Sequence, residues 1–261
     1  EVDALVQVVR CFEDPDVIHV TGSVDPVRDI EIVMTELVLA DLEAIQRRRE
    51  KIAKEIKGGN KHAVAENRVL DKLEAHLNAG KPANTAGLFK EEHELIAACP
   101  LLTDKPTLFV ANVKEGQLAG TDADRTVGNV RDYACTHHAC GTVVVCAQLE
   151  SDLADLSPEE AVQYLAALGV RETGVDALIR ATYELLQLRT FFTFNDKEVH
   201  AWTVPEGTGA ARAAGRIHTD FERGFIKAER VHWKALVDAG SVGHAREAGQ
   251  RRARGWLERL N

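Results

Sequence analysis

Lys105-Pro106-Thr107-Leu108-Phe109-Val110-Ala111-Asn112-Val113-Lys114-Glu115 is the stretch on which the reading of this chain turns. Thr107 to Ala111 is a short apolar run, the pattern of a strand covered on both faces in a parallel sheet. It ends in an Asn and, three residues later, a carboxylate. Open α/β sheets bind ligands beyond the carboxyl ends of their strands, so both side chains stand where a small molecule would sit. Their chemistry suits a purine. A carboxylate can accept both the ring N–H and the exocyclic amine of guanine, whereas adenine offers a single donor, its exocyclic amine, beside ring acceptors. An Asn amide can pair with the N6 amine and N7 of adenine together, as it does on DNA base edges.

Further strands frame this stretch. Ala4 to Arg10 is dense in Val and reads as another parallel strand covered on both faces, ended by Asp14-Pro15-Asp16. Thr142 to Val145 reads as a third, reached through a helical stretch around Asp124 to Ala134. Cys146-Ala147-Gln148-Leu149-Glu150 follows it, in the place of a loop whose backbone closes over the base. The expected base contacts are therefore Asn112, Val113 and Glu115 from one strand end, and Cys146, Ala147 and Gln148 from the other. The pattern matches the base-reading loop of P-loop nucleotide hydrolases, whose GTP-reading members carry Asn-Lys-x-Asp. The change to Asn-x-x-Glu weakens the case for guanine and favours adenine or a relaxed preference. The phosphate loop itself, G-x-x-x-x-G-K-[ST], occurs nowhere, and Gly58-Gly59-Asn60-Lys61 lacks both its spacing and the strand before it.

The period changes from Asp29 onward. Val38, Leu42, Ile45, Ile52 and Ile56 recur near every 3.5 residues, interrupted by Arg49 and surrounded by Glu, Lys and Arg. Gly58-Gly59-Asn60 breaks the run, and Leu70, Leu73 and Leu77 resume it. Two such helices joined by a Gly-rich turn make an antiparallel coiled-coil hairpin. Ser157-Pro158-Glu159-Glu160 reads as a helix start with a reciprocal cap. Further on, Phe191-Phe192-Thr193-Phe194, Asn195-Asp196-Lys197 and Val199 to Val204 read as strand, turn and strand. A helix and loop over Ala210 to Phe221 and a strand over Phe225 to Val231 follow.

Several stretches together resemble the YchF/Obg-like ATPase family: Glu1 to Phe12, Val33 to Leu42 (VMTELVLADL), Lys105 to Glu115, Val199 to Val204 (VHAWTV) and Ala213 to Phe225 (AAGRIHTDFERGF). The likeness runs through essentially the whole chain in the family's order. It implies an α/β fold: the C-terminal half of a P-loop G-type domain with an inserted antiparallel coiled coil, then an incomplete C-terminal β-grasp TGS domain. The implied division is 1–28 and 99–188 for the nucleotide domain, 29–98 for the helical insertion and 189–261 for the TGS domain. It implies an ATP hydrolase, preferring ATP to GTP, that acts as a translation-linked switch on the ribosome, in the cytoplasm, as a monomer. ATP and Mg2+ would be its ligands, with the phosphate loop and the magnesium-binding segments preceding the residue that matches Glu1. On that expectation the chain is a piece of a longer protein and inactive alone, and no catalytic residue is assigned. The alternative is a non-catalytic ribosome- or RNA-binding module with a vestigial nucleotide site.

Composition narrows the rest. The net charge of −9 argues against wholesale nucleic-acid binding, but from Pro205 onward 11 Lys and Arg face 7 Asp and Glu, with Arg251, Arg252 and Arg254 close together. No apolar run approaches the length of a membrane span. Five cysteines at irregular spacing read as reduced thiols. Cys135-Thr136-His137-His138-Ala139-Cys140 has metal-binding residue types but no second ligand pair at a recurring spacing, and no metal site is assigned. His218 and Asp220 lack any nucleophile or metal partner and read as structural.

Overall fold

Three parallel strands organise the first part of the chain in this computed structural model, which describes residues 2–19, 22–120, 124–137, 141–195, 197–247 and 252–255. Strand β1 (Leu5–Arg10) is followed by helices α1 (Pro26–Lys57), α2 (Lys61–Asn78) and α3 (Lys90–Leu95). Strand β2 (Thr107–Asn112), helix α4 (Arg125–Thr136) and strand β3 (Thr142–Val145) come next, then helices α5 (Ala147–Leu153), α6 (Pro158–Ala167) and α7 (Gly174–Leu185). The sheet order is β1-β2-β3. Register runs from Leu5 opposite Thr107 to Arg10 opposite Asn112, and from Phe109 opposite Thr142 to Asn112 opposite Val145. Central β2 buries Leu108, Phe109, Val110 and Ala111, as its unbroken apolar run requires. β1 differs from expectation. It lies at the sheet edge, and one of its faces is uncovered, with Val6 43% and Val8 65% exposed.

Helix α1 begins at Pro26, one turn earlier than the change of period suggests, because Asp25 caps it and Pro is suited to the first helical position. The Asp25 carboxylate accepts from the Arg28 N–H at 3.2 Å. One continuous helix then serves two cores. Ile30 packs with Val9, Phe109, Val127 and Val130 beneath the sheet. Val38, Ile45 and Ile52 pack with Leu70, Leu73 and Leu77 between α1 and α2. Of the stripe read from the sequence, these six are buried, and Leu42 and Ile56 are half-buried against them.

The turn between the helices has Gly59 at φ +73°, a left-handed conformation that glycine adopts without a Cβ penalty. Asn60 caps α2 by accepting from the N–H groups of His62 and Ala63. Two carboxylates, unremarkable in the sequence, are almost wholly buried here. Glu66 (1% exposed) accepts from Arg48 Nε at 2.6 Å and Nη2 at 3.0 Å. Asp41 (1% exposed) accepts from the N–H of Leu102 at 2.6 Å, the N–H of Thr103 at 2.8 Å and the Thr103 hydroxyl at 2.7 Å, tying the returning chain to α1. Each makes several charge-assisted bonds, the condition under which a buried carboxylate is tolerated.

The chain divides into two compact units, Glu1–Leu185 and Leu186–Asn261. In the second, β4 (Leu188–Phe194) and β5 (Val199–Pro205) form an antiparallel pair, followed by helices α8 (Ala210–Ile217) and α9 (Thr219–Arg223). Strand β6 (Lys227–Arg230), helices α10 (Trp233–Ala239) and α11 (Val242–Glu247) and strand β7 (Arg252–Gly255) complete it, with β6 and β7 antiparallel. Where a loop is expected after α8, the short helix α9 forms instead. His218 is its cap, Nδ1 accepting from the Asp220 N–H at 3.2 Å. Arg251 lies outside the described residues.

Candidate functional site

Asn112 ends β2, and β3 ends beside it at Val145, so the two strand ends open toward the same side of the sheet. The Val113 N–H donates to the Val145 carbonyl at 2.9 Å, extending the ladder by one residue. Val113 is itself 2% exposed and belongs to the core beneath the sheet. Only its backbone can face a ligand.

The segment after β3 is not the loop expected. Helix α5 starts at Ala147, with Cys146 at the cap position and buried, and with Ala147 and Gln148 exposed on the first turn. Ala-Gln-Leu-Glu is good helix-forming sequence. The signal missing from it is a capping side chain: Cys146 makes no side-chain cap hydrogen bond. Asn112 reaches across to this turn, its Oδ1 accepting from the Ala147 N–H at 3.0 Å. That bond joins the two strand ends and orients the Asn amide. The Gln148 amide turns back along its own helix to Asp152 Oδ1 at 2.9 Å.

Glu115 opens a short 3-10 turn, Glu115–Gly120, and is part-exposed. Its Oε1 lies 3.3 Å from the hydroxyl of Tyr164 on α6. Lys114 turns away from it to pair with Asp14 at 3.1 Å. The Asp16 N–H, the Lys114 ammonium and Arg10 together hold the Asp14 carboxyl below the usual carboxylate range.

Gln117, which nothing in the sequence singled out, fixes the turn. Its Oε1 accepts from the Lys114 N–H at 2.8 Å, and its Nε2 donates to Asp124 Oδ2 at 2.7 Å and to the Cys11 carbonyl at 3.3 Å. Asp124 caps α4 by accepting from the N–H groups of Thr126 and Val127. The Thr126 hydroxyl, the Gln117 amide and these backbone N–H groups keep its carboxyl low against the opposing effect of burial. Beneath, burial, reinforced by the Asp124 charge, pushes the Cys11 thiol up to about 12. It is a neutral packing group, not a nucleophile, at neutral pH.

The residues at the ends of β2 and β3 thus come together as a polar shelf. A cavity of about 180 Å³ lies under it, lined by residues including Leu118, Val144, Cys146 and Leu149. A larger one, about 530 Å³, is lined by α1 together with Leu5 and Thr107. Those two residues begin their strands, so this cavity is at the opposite end of the sheet from the shelf. Among the described residues no group of three or more His, Cys, Asp or Glu could hold a metal ion. His138 to Cys140 of the Cys-His stretch lie outside the described residues. No helix among them is long and apolar enough to cross a membrane.

Comparison with known proteins gives a consistent result. Residues 188–257 match the family model YchF-GTPase_C, described as a protein of unknown function. The "Ribosome-binding ATPase YchF" of Bacillus subtilis is 43% identical over 255 residues, covering 98% of this chain and 69% of that protein. The protein of the same name from Escherichia coli O157:H7 is 42% identical over 257 residues, with the same coverage. Among solved structures, the Schizosaccharomyces pombe YchF GTPase superposes with a TM-score of 0.81 at 29% identity, covering 100% of this chain and 70% of that one.

Proposed function

Because this chain belongs to the YchF family, we propose that its shelf reads the purine of a nucleoside triphosphate, with ATP preferred to GTP, in a nucleotide hydrolase that works on the ribosome. The observation that carries this reading is the joining of the two strand ends: Asn112 Oδ1 bonded to the Ala147 N–H at 3.0 Å, with the Glu115 carboxylate three residues on. Asn112, Val113 and Glu115 supply one wall, Val113 through its backbone, and Cys146, Ala147 and Gln148 supply the other through their main chain. This chain's own residues bind and orient the base. ATP hydrolysis in this class rests on positioning and charge stabilisation around the phosphates. No residue described here is assigned to that step, and magnesium is assigned no ligand in this chain.

On the same reading α1 and α2 form a coiled-coil insertion, with domains at 1–28 and 99–188, 29–98, and 189–261, the last a TGS domain. A monomeric cytoplasmic switch would dock through the hairpin and the basic second unit. Exposed Arg212, Arg216, Arg223 and Lys227 lie in that unit. Co-sedimentation with ribosomes should therefore fall as salt rises, and fall further in Arg212→Glu/Arg216→Glu.

The base assignment is tested by titrating the full-length protein with fluorescent ATP and GTP analogues. Glu115→Ala removes a charged acceptor, and ATP affinity should drop about tenfold or more. Unchanged affinity would contradict the assignment.

A further inference from the structure

The joined strand ends change how the shelf can discriminate between purines. Asn112 spends its Oδ1 on the Ala147 N–H, so what it presents is its Nδ2 donor. A donor suits N7, an acceptor that adenine and guanine share. On the base-site reading, discrimination then passes to Glu115, the carboxylate that would meet the edge where the two bases differ. Guanine satisfies a carboxylate best when both oxygens accept, one from N1–H and one from the exocyclic amine. Adenine needs only one, for its N6 amine.

One Glu115 oxygen is already engaged. The Tyr164 hydroxyl points at Oε1 from 3.3 Å, and the carboxylate in turn pushes the phenol up, ahead of the smaller effect of burial. Tyr164 is held from behind. Helix α6 is started by a capping box, the Ser157 hydroxyl and Glu160 carboxylate each accepting the other residue's backbone N–H. Neighbouring Leu165 is buried in the core beneath the sheet, with Ala161 and Leu168 packed against it. The hydroxyl is thus carried by a helix fixed to the same core as β2. It takes one lone-pair direction of Oε1 and leaves Oε2 wholly unshared, which suits the single amine of adenine and makes the two-oxygen grip on guanine compete with the phenol.

We propose that Tyr164 is the positioning residue that sets the purine preference, by competing for one oxygen of Glu115 and orienting the carboxylate so that it serves the single donor of adenine better than the paired donors of guanine. This rests on the base-site reading above.

The test is the ATP/GTP affinity ratio of the full-length protein in four forms: parent, Tyr164→Phe, Glu115→Ala and the double variant. Tyr164→Phe keeps the ring and its packing and removes only the hydroxyl. It should raise GTP affinity about 3- to 10-fold relative to ATP, and that shift should vanish in the Glu115→Ala background. A simple packing role would weaken both nucleotides alike and leave the ratio where it was. If Glu115→Ala weakens binding but Tyr164→Phe leaves the ratio unchanged, or shifts it equally with and without Glu115, the role given to Tyr164 is overturned and the base site stands. If Glu115→Ala itself changes nothing, the base-site reading falls and this inference with it.

Discussion

The helical hairpin and the strand-end shelf belong to one unit and share helix α1, but they are held by opposite kinds of interaction. The hairpin is an apolar seam of Ile45, Ile52, Leu70, Leu73 and Leu77, closed by the buried Glu66 carboxylate and its half-buried partner Arg48. The shelf is a polar network of Asn112, Gln117, Asp124 and Thr126, laid over an apolar floor that contains Val113 and Cys146. Burial of large side chains stabilises by several kcal/mol per site, while a partly exposed hydrogen bond contributes about one. The hairpin should therefore behave as a rigid arm. The shelf should be ordered but inexpensive to rearrange, as suits a place where a ligand must enter.

Substitutions separate the two regions. Leu73→Ala, at a fully buried seam position, should cost about 2–5 kcal/mol in denaturant unfolding. Glu66→Ala leaves the half-buried Arg48 without its carboxylate partner and opens space beside the seam, and should cost about 1–3 kcal/mol. Asp124→Ala, on the shelf side, removes a helix cap and the Gln117 partner and should cost only about 1–2 kcal/mol. A loss from Asp124→Ala as large as that from Leu73→Ala would break the comparison.

The pH dependence of the Asp124 effect has a definite sign. The folded protein holds this carboxyl below its ordinary value, so its contribution is present above the unfolded pKa of about 4 and fades as pH falls through the lower folded value. Parent and Asp124→Ala should converge in stability under acid. A gap that persists once the carboxyl is protonated would assign the effect to the packing and neutral hydrogen bonds of the Asp124 side chain instead.

Two of the three thiols buried among the described residues, one from each region, give a finer reading. Cys11 lies under the shelf and Cys99 in the hairpin core, both raised by burial, whereas Cys135 is exposed. Alkylation at pH 8 should label Cys135 before Cys11 or Cys99. Asp124→Ala should speed labelling of Cys11 and not Cys99, and Glu66→Ala the reverse. Equal acceleration of both in either variant would mean that the two regions open as one.

What the sequence disclosed follows the same division. The seam was legible because apolar side chains at a 3.5-residue spacing mean the same thing wherever the helix lies. Glu66 and Asp41 were not, because a carboxylate among Lys and Arg reads as a solvated face until a partner 18 or 61 residues away is known. The Val-rich run of β1 announced a strand, but composition does not distinguish an edge from a centre. Asn112 and Glu115 were legible from their position after an apolar strand. The amide of Asn112 was read as free to take both edges of adenine, and its bond to Ala147 removes that option as it stands. Tyr164 and Gln117 carried no signal, since each acts through a contact that only the fold creates.

The central claim is that the base lies on the shelf made by the ends of β2 and β3. It is tested most directly by amide NMR of the full-length protein titrated with ATP. The side-chain amide of Asn112 and the backbone amides of Val113, Glu115, Ala147 and Gln148 should shift together along one saturating curve. Hairpin amides such as those of Leu70 and Leu73 should stay fixed. Saturable shifts that spare Asn112, Glu115 and Ala147, or that centre on the cavity lined by α1, Leu5 and Thr107, would contradict it.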